Sequence, residues 1–188
     1  MKQLLITAFD PFGGSDTNPS ELAVALLPDR LGNFKITKCV VPTIYGLAAQ
    51  KALEAAAKCQ PDVILCIGVA VGRDAVTPER VALNLQDARI PDNAGRQPVD
   101  QPVILGGPTA YLASVPLKAM VAAIENAGLP GRISNTAGTF VCNDLFYSLC
   151  HHFSTGLTKV GFIHVPATDV LSVEQISQAL IAAISACE

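Results

Sequence analysis

The sequence predicts a single α/β domain over residues 1–188, arranged as a three-layer α/β/α sandwich around a largely parallel, mixed sheet. Two observations predict this class. Short apolar segments alternate with longer segments of helical periodicity along the chain, which is the pattern of βαβ units. In addition, a chain of 188 residues with 50% hydrophobic and 15% charged residues has enough apolar material for one substantial core.

The amino-terminal part of the chain predicts two strand–helix pairs and a third strand. Leu4–Ala8 is a short apolar run ended by turn residues, which predicts the first strand. Ser20–Leu27 has helical periodicity behind possible caps at Asn18 and Ser20, which predicts the first helix. The elements predicted next are a strand over Lys35–Val41, a helix over Leu47–Lys58 and a strand over Val63–Ile67.

The rest of the chain begins with an alternating segment. Val81, Leu83 and Leu85 alternate with small or polar residues, which predicts a half-buried strand before the polar turn Pro91–Gln97. We expect an antiparallel excursion of the chain near residues 80–105. The remaining predicted elements are a helix over Tyr111–Ala127, a strand over Arg132–Asn135, a helix over Cys142–Phe153, a strand over Val160–Val165 and a helix over Val173–Ala186.

Charge and hydropathy patterns exclude several classes of protein. Lys plus Arg number 13 and Asp plus Glu number 16, so the net charge is −3, and no block of like charge occurs. This pattern argues against nucleic-acid and polybasic membrane binding. No apolar stretch approaches the roughly 20 residues that span a bilayer, and Phe9–Gly14 is turn material rather than a signal-peptide cleavage region. We therefore expect a cytoplasmic protein without nucleic-acid or membrane partners.

The cysteines and histidines do not form a recognisable metal motif. The chain has six cysteines, at positions 39, 59, 66, 142, 150 and 187, without any CxxC pair, and its three histidines are poorly spaced for zinc. In the cytoplasm these cysteines are expected to be reduced thiols. Neither GxGxxG nor GxxxxGK[ST] occurs. We expect no metal and no cofactor.

Cys142 is a candidate nucleophile because of its position. Ligands of such sheets bind at the edge where strands lead into helices, and Cys142 stands where a loop of small residues enters the next helix. Unpaired N–H groups and the helix dipole favour the thiolate there. The alternative is a buried structural cysteine, since free cysteine is among the most buried residue types. The other five cysteines fit that alternative better.

His164 is a candidate partner for this thiol. It lies near the carboxyl end of an apolar predicted strand, where a satisfied core histidine is the alternative. A cysteine at a helix start and a histidine at the next strand end suit a Cys–His pair, because imidazole can accept the thiol proton and later protonate a leaving amine. His151 and His152 follow Cys142 on the same helix and, at ~1.5 Å per residue, are too far away.

Glu79 is a candidate for orienting this imidazole. It shares the parity of the apolar residues in the alternating segment, so it would point toward the apolar side if the strand extended back to it. A buried carboxylate needs a partner, and an imidazole is a suitable one. The alternatives are a solvated glutamate at a strand end and a pair with Arg80.

Three further residues lie in loops at the expected binding edge. Arg89 could stabilise an oxyanion, or it could be solvated or support a turn carboxylate, and the sequence leaves both open. Phe9 and Phe12 flank a turn after the first predicted strand. Two aromatic side chains there could form the wall of a binding site or cap the core.

Five segments of the chain, taken together, resemble the pyrrolidone carboxyl peptidase family, also called pyroglutamyl peptidase I, whose members are Cys-His-Glu peptidases. They occur in the same order as in the family and extend over nearly the whole chain. The segments are Phe9–Gly14 with Asn18–Pro19, Thr77–Ala82, Asp87–Asn93, Thr136–Asn143 and Phe162–Pro166.

The resemblance implies removal of an amino-terminal pyroglutamyl residue from peptides, with Cys142 as nucleophile, His164 as general base and then acid, and Glu79 orienting His164. It implies that Arg89 and the Cys142 backbone N–H stabilise the oxyanion. It also implies one α/β/α domain, commonly a homotetramer, without cofactor or metal. We expect a thioester acyl-enzyme hydrolysed by water that His164 activates. The implied ring-binding residues are Phe9, Phe12, Asn18, Thr43, Ile90, Phe140 and Val141.

One segment departs from the family pattern. Where the family usually has Gly-Gln-Ala-Gly-Gly-Arg, this chain has Gly68–Arg73 with Val69 and Val71 in place of Gln and Gly. Val69 removes an amide from the pocket, and Val71 would resist any positive φ that glycine allowed. We expect altered affinity or selectivity among lactams. The alternatives are a non-catalytic lactam-binding or scaffolding protein and a phosphorylase-like or nucleotide-dependent protein of similar fold.

Overall fold

The chain forms eight strands and five helices, and the computed structural model describes all residues, 1–188. The strands are β1 Lys2–Phe9, β2 Arg30–Leu31, β3 Phe34–Val41, β4 Val63–Val69, β5 Thr77–Pro78, β6 Val81–Leu83, β7 Ala110–Leu112 and β8 Lys159–Val165. The helices are α1 Pro19–Ala25, α2 Leu47–Cys59, α3 Leu117–Asn126, α4 Val141–His152 and α5 Val173–Ser185. No helix combines the length and the apolar character that a membrane crossing requires.

The main sheet has six strands in the order β2-β3-β1-β4-β8-β5. Its four central strands are parallel, and the two short edge strands, β2 and β5, are antiparallel to their neighbours. Strands β6 and β7 form a separate antiparallel pair. The predicted α/β class with a largely parallel, mixed sheet is therefore confirmed, as is the antiparallel excursion near residues 80–105.

Apolar side chains cover both faces of the main sheet. Leu4 and Ile6 of β1 point into one core cluster, which α1, α3 and α5 complete. Leu5, from the same strand, points into the other cluster, which α2 and α4 complete. Successive side chains of a strand point to opposite faces, so a strand that is buried on both faces reads as a continuous apolar run. These two clusters make the three layers of the sandwich.

The predicted helix over Tyr111–Ala127 is wrong in its first part. Residues 110–112 form β7, and α3 begins only at Leu117, directly after Pro116. Proline disfavours the helical conformation for the residue before it. The helix therefore cannot extend back through this position without strain.

The predicted strand over Arg132–Asn135 is also wrong. This segment makes only isolated bridges to the segment before β6, through Gly131 and Ser134. Four backbone hydrogen bonds connect the two segments. Their donors are the N–H groups of Val76, Arg80, Arg132 and Ser134. Pro78, which lies between these partners, has no N–H to donate, so the ladder is interrupted.

The predicted parity of the alternating segment is wrong as well. Ala82 is buried, whereas Val81, Leu83 and Leu85 are only half-buried. The reason is topological, because β5 and β6 belong to different sheets and no continuous strand joins Glu79 to the alternating residues. Glu79 is nevertheless buried, through the contacts of β5 with β8.

Helix α5 is stabilised at its start by a reciprocal pair of hydrogen bonds. The Ser172 hydroxyl accepts from the backbone N–H of Gln175, and the Gln175 side chain accepts from the backbone N–H of Ser172. Such a capping box satisfies two N–H groups that otherwise lack partners in the helix. It fixes the start of the helix that carries much of one core cluster.

We expect Ser172→Ala to lower the free energy of unfolding by about 1 kcal/mol, because it removes the cap. Ser185→Ala is the matched control at the exposed end of the same helix, and it should change the free energy by less than about 0.5 kcal/mol. Urea unfolding followed by circular dichroism measures both. Equal losses for the two variants would contradict the capping assignment.

Candidate active site

A buried imidazole and a buried carboxylate lie side by side at the carboxyl end of β8. Nδ1 of His164 is 2.7 Å from Oε1 of Glu79. Strand β5 pairs antiparallel with β8, with Thr77 opposite His164, so the residue that follows β5 is held next to the ring. The Glu79 backbone N–H also donates to the Phe162 carbonyl, at 2.8 Å. The structure therefore places Glu79 and His164 in contact, as the sequence hypothesis expects.

Arg73 is a member of this cluster that sequence reasoning missed. Its Nη1 donates to Oε1 of Glu79 at 2.6 Å and also to the Thr77 hydroxyl. The sequence pointed to Arg80 as a possible cation for Glu79, but Arg80 is exposed and makes no ion pair. Arg73 is the last residue of the Gly68–Arg73 segment. The local sequence does not predict its contact with Glu79, because the loop that brings the two residues together is irregular.

The thiol of Cys142 lies across from this pair. Cys142 is the second residue of α4 and is half-buried, as expected for a helix start. Its Sγ lies above Gly68 of β4, where a β-carbon would approach the sulfur to 2.9 Å. Gly68 is the register partner of His164 on β8. The missing side chain at Gly68 therefore leaves the space that the sulfur occupies beside the imidazole strand.

One cavity of about 120 Å³ is lined by both the Cys142 thiol and the His164 imidazole. The ring nitrogen that Glu79 leaves free is Nε2. Five of the seven predicted ring-binding residues line this cavity, which contains no acidic side chain. The lining residues are Phe9, Phe12, Asn18, Thr43, Val69, Ala137, Phe140, Cys142 and His164.

The polar residues of the cavity wall are engaged in bonds within the protein. Asn18 caps α1, since its Oδ1 accepts from Ser20 N–H at 3.0 Å, and its Nδ2 donates to the Asp10 carbonyl at 3.0 Å. The Thr43 hydroxyl donates to Oδ1 of Asp10 at 2.8 Å. The aromatic wall is held by ring contacts, among them Phe12 with Phe140 at 6.3 Å. The cavity therefore offers a ligand a mainly apolar surface.

A second cavity of about 360 Å³ adjoins the first and shares Phe12, Asn18 and Val69 with it. Ile90 and Val71 line this larger cavity, and no charged side chain does. The strain expected at Val71 is absent, because the positive φ in this segment, 89°, belongs to Gly72.

Two residues that were predicted to contact the substrate, Val141 and Arg89, line neither cavity. Val141, the first residue of α4, is fully buried in the core. Arg89 is exposed, and its backbone carbonyl, rather than its guanidinium, makes its hydrogen bond. The structure thus does not bring the Arg89 side chain to the thiol.

Comparisons with known proteins identify the family of this chain. The model of the pyroglutamyl peptidase family matches residues 2–186. The chain belongs to the pyroglutamyl peptidase family. Among curated relatives, the pyrrolidone-carboxylate peptidase of Vibrio vulnificus (strain YJ016) is 50% identical over 167 residues, 88% of this chain and 79% of the relative. That of Levilactobacillus brevis is 49% identical over 166 residues, covering 87% of this chain and 81% of the relative.

Solved structures of the family have the same fold. The crystal structure of Bacillus amyloliquefaciens pyroglutamyl peptidase I superposes with a TM-score of 0.95 at 43% identity, covering 100% of this chain and 97% of that one. Pyrrolidone carboxyl peptidase from Thermococcus litoralis superposes with a TM-score of 0.93 at 32% identity, covering 100% and 93%. The comparisons do not support the alternative of a phosphorylase-like or purely lactam-binding protein.

Protonation at the site is governed by burial. Burial, and then the negative charge of Glu79, raise the pKa of Cys142 to about 12, against the smaller opposing effects of Arg73 and a backbone hydrogen bond. Burial also lowers the pKa of His164, although its bond to Glu79 opposes that shift. At Cys142 the desolvation of the sulfur therefore outweighs the helix terminus, which by itself favours the thiolate. A neutral thiol faces a neutral imidazole at pH 7.

We expect alkylation of Cys142 by iodoacetamide in the ligand-free protein to accelerate about tenfold per pH unit between pH 7 and pH 9, because only the thiolate reacts. Mass spectrometry of the Cys142 peptide measures this rate. Glutathione, an unburied thiol, is the control and should level off near its own pKa. A rate for Cys142 that is already constant below pH 8 would contradict the neutral resting state.

Proposed function

We propose that this protein is a cysteine exopeptidase that hydrolyses the amino-terminal pyroglutamyl residue from peptides, with residues 1–188 acting as one peptidase domain. The observation that carries the proposal is the shared cavity. A thiol and an imidazole line it together, and the far side of that imidazole is bonded to a buried carboxylate. Membership of the pyroglutamyl peptidase family supports the substrate class.

In the proposed reaction the Cys142 sulfur adds to the carbonyl carbon of the pyroglutamyl residue while Nε2 of His164 takes the thiol proton. The imidazolium then gives that proton to the leaving amine as the C–N bond breaks, and a thioester forms. Water attacks the thioester as His164 accepts a proton from it. The C–S bond breaks, the sulfur regains a proton, and free pyroglutamate leaves. Glu79 orients the ring and stabilises its charged form.

The oxyanion of each tetrahedral intermediate needs donors near the sulfur. The first N–H groups of α4 lack partners within the helix, and the backbone N–H of Cys142 belongs to this first turn. We propose that it donates to the oxyanion, aided by the helix dipole. The proposed contribution of Arg89 requires its exposed side chain to turn toward the sulfur when substrate is bound.

The charge of the cavity explains how the lactam would be selected. Pyroglutamate has no ammonium group, so its neutral ring suits a cavity of about 120 Å³ without acidic side chains. An ordinary amino terminus would place an ammonium there without a counter-ion, at a cost of at least several kcal/mol (~3 or more). Discrimination therefore follows from the absence of a carboxylate as much as from ring shape.

Cellular context forms a further part of the proposal. We propose that the protein acts in the cytoplasm as a homotetramer on amino-terminally pyroglutamylated peptides, without metal or cofactor. The family resemblance supports the assembly, and six free cysteines are in keeping with a reducing compartment.

The nucleophile is tested by Cys142→Ser. We expect release of 7-amino-4-methylcoumarin from its pyroglutamyl amide to fall at least about 1000-fold in kcat, because a serine hydroxyl is a far weaker nucleophile beside the same imidazole. Fluorescence measures the rate, and isothermal titration with the same amide should show that binding is kept.

Cys59→Ser is the matched control, since it changes a half-buried thiol at the end of α2 that lines neither site cavity. It should stay within twofold of the wild type. Turnover by Cys142→Ser at near wild-type rate would remove Cys142 from the nucleophile role. As a test of lactam selection, the wild type is also assayed with glutaminyl-7-amino-4-methylcoumarin, which has a free amino terminus. Turnover of this amide at the same rate as the pyroglutamyl amide would contradict selection for the lactam.

The adjoining cavity suggests where the rest of the peptide lies. It continues from the cavity of the thiol through Phe12, Asn18 and Val69, and it has no charged lining residue. We propose that the residue after pyroglutamate occupies it. Val71 is 81% exposed on this wall, so an apolar side chain of the substrate would cover it. Such contact favours apolar over charged residues at that substrate position.

We expect Val71→Asp to lower kcat/KM for a pyroglutamyl-leucyl peptide about fivefold, equivalent to about 1 kcal/mol of lost apolar contact. The same variant should raise kcat/KM for a pyroglutamyl-lysyl peptide by charge attraction. Leu157→Asp makes a similar apolar-to-acidic change at a 99% exposed position outside this cavity and is the control. The placement of the peptide would be wrong if both variants changed the leucyl-to-lysyl ratio equally.

A further inference from the structure

The Arg73 guanidinium joins three segments that are separate in sequence. Arg73 itself lies in the loop between β4 and β5. Its Nη1 donates to Glu79 at 2.6 Å and to the Thr77 hydroxyl of β5, while Nη2 donates to the Thr136 carbonyl at 3.3 Å. Thr136 belongs to the loop that leads into α4. One side chain therefore connects the strand that presents Glu79 with the loop that precedes Cys142.

The Glu79 carboxylate depends on this cation. Oε1 accepts hydrogen bonds from both Arg73 and His164, at 2.6 and 2.7 Å, whereas Oε2 is buried and has no hydrogen-bond partner. Glu79 is 0% exposed, so bulk solvent does not reach its charge. Arg73 supplies the permanent positive charge in contact with it. A buried carboxylate that loses such a partner is strongly destabilised in its ionised form.

We propose that Arg73 is a positioning residue of the active site, which holds the Glu79 carboxylate oriented so that Oε1 fixes the His164 ring with Nε2 toward the cavity of the Cys142 thiol. This inference rests on the proposed function for its activity readout. Arg73 lines neither of the two cavities, so it acts through Glu79 and not on the substrate.

The charges around the imidazole determine the direction of the effect. His164 faces Glu79, which raises its pKa, and Arg73, which lowers it, while burial lowers it most. Cys142 faces Glu79 and Cys66, which raise its pKa, and Arg73, which lowers it. Loss of the cation would thus raise the pKa of both groups.

The test is the pH profile of Arg73→Gln with pyroglutamyl-7-amino-4-methylcoumarin. The base needs a neutral imidazole, and once the cation is gone the imidazole becomes neutral only at a higher pH. We expect the acid limb of kcat/KM to move up by about one pH unit and kcat at pH 7 to fall at least about tenfold. KM should change less than about twofold, because no cavity contact is lost.

Two variants separate positioning from general charge and folding effects. Arg132→Gln removes the same charge from an exposed ion pair with Asp74 nearby, and it should leave the acid limb within about 0.2 pH unit of the wild type. Arg73→Lys keeps the charge but not the planar fork. The acid limb of Arg73→Lys should return to the wild-type position, while its kcat stays below that of the wild type by about 3-fold or more. If Arg73→Gln does not fold, Arg73→Lys is the variant that tests the inference.

A readout that needs no substrate keeps the inference separate from the proposed function. Alkylation of Cys142 by iodoacetamide at pH 8 should slow about threefold or more in Arg73→Gln and not in Arg132→Gln, because the cation favours the thiolate. If the wild type released no coumarin, the proposed function would fail and this measurement would still decide the role of Arg73. An unchanged acid limb with an unchanged alkylation rate, or equal shifts in the Arg132 variant, would overturn it.

Discussion

The ion cluster at Glu79 is the constraint around which the site is arranged. A carboxylate with no exposure is stable only when its charge is met within the protein, and here one oxygen accepts from both Arg73 and His164. Meeting this demand requires β5 to run antiparallel along the end of β8 and the loop after β4 to fold back onto β5. The path of the chain at this sheet edge and the ion pairing of the Glu79 side chain therefore depend on each other.

The parallel register brings the third group into place. Strand β4 contributes a glycine opposite His164, and the sulfur at the start of α4 fills the space above it. Helix termini usually favour a thiolate, yet burial and the neighbouring carboxylate prevail and keep the thiol protonated. Activation of sulfur in such a setting is coupled to the approach of substrate, because proton transfer to the imidazole and attack on the carbonyl can proceed together.

The cavity illustrates specificity through what is absent from its wall. Asn18 and Thr43 are committed to holding the loop after β1. Apart from the reacting thiol and imidazole, the rest of the wall is aromatic or aliphatic. Val69 adds a further aliphatic side chain to this surface. Neutral rings suit such a wall, whereas charged amino termini would lose hydration without compensation.

Sequence alone determined the alternation of strands and helices, the place of Cys142 at a helix start and of His164 at a strand end, and most aromatic residues of the cavity. These follow from local periodicity and from the rule that parallel strands end at one edge. Only the tertiary structure decided that Arg73 rather than Arg80 meets Glu79, that the thiol is protonated, that Pro78 interrupts the pairing near Ser134, and that the Arg89 side chain lies apart. Each of these depends on contacts between distant segments or on desolvation, and neither quantity is encoded in the spacing of neighbouring residues.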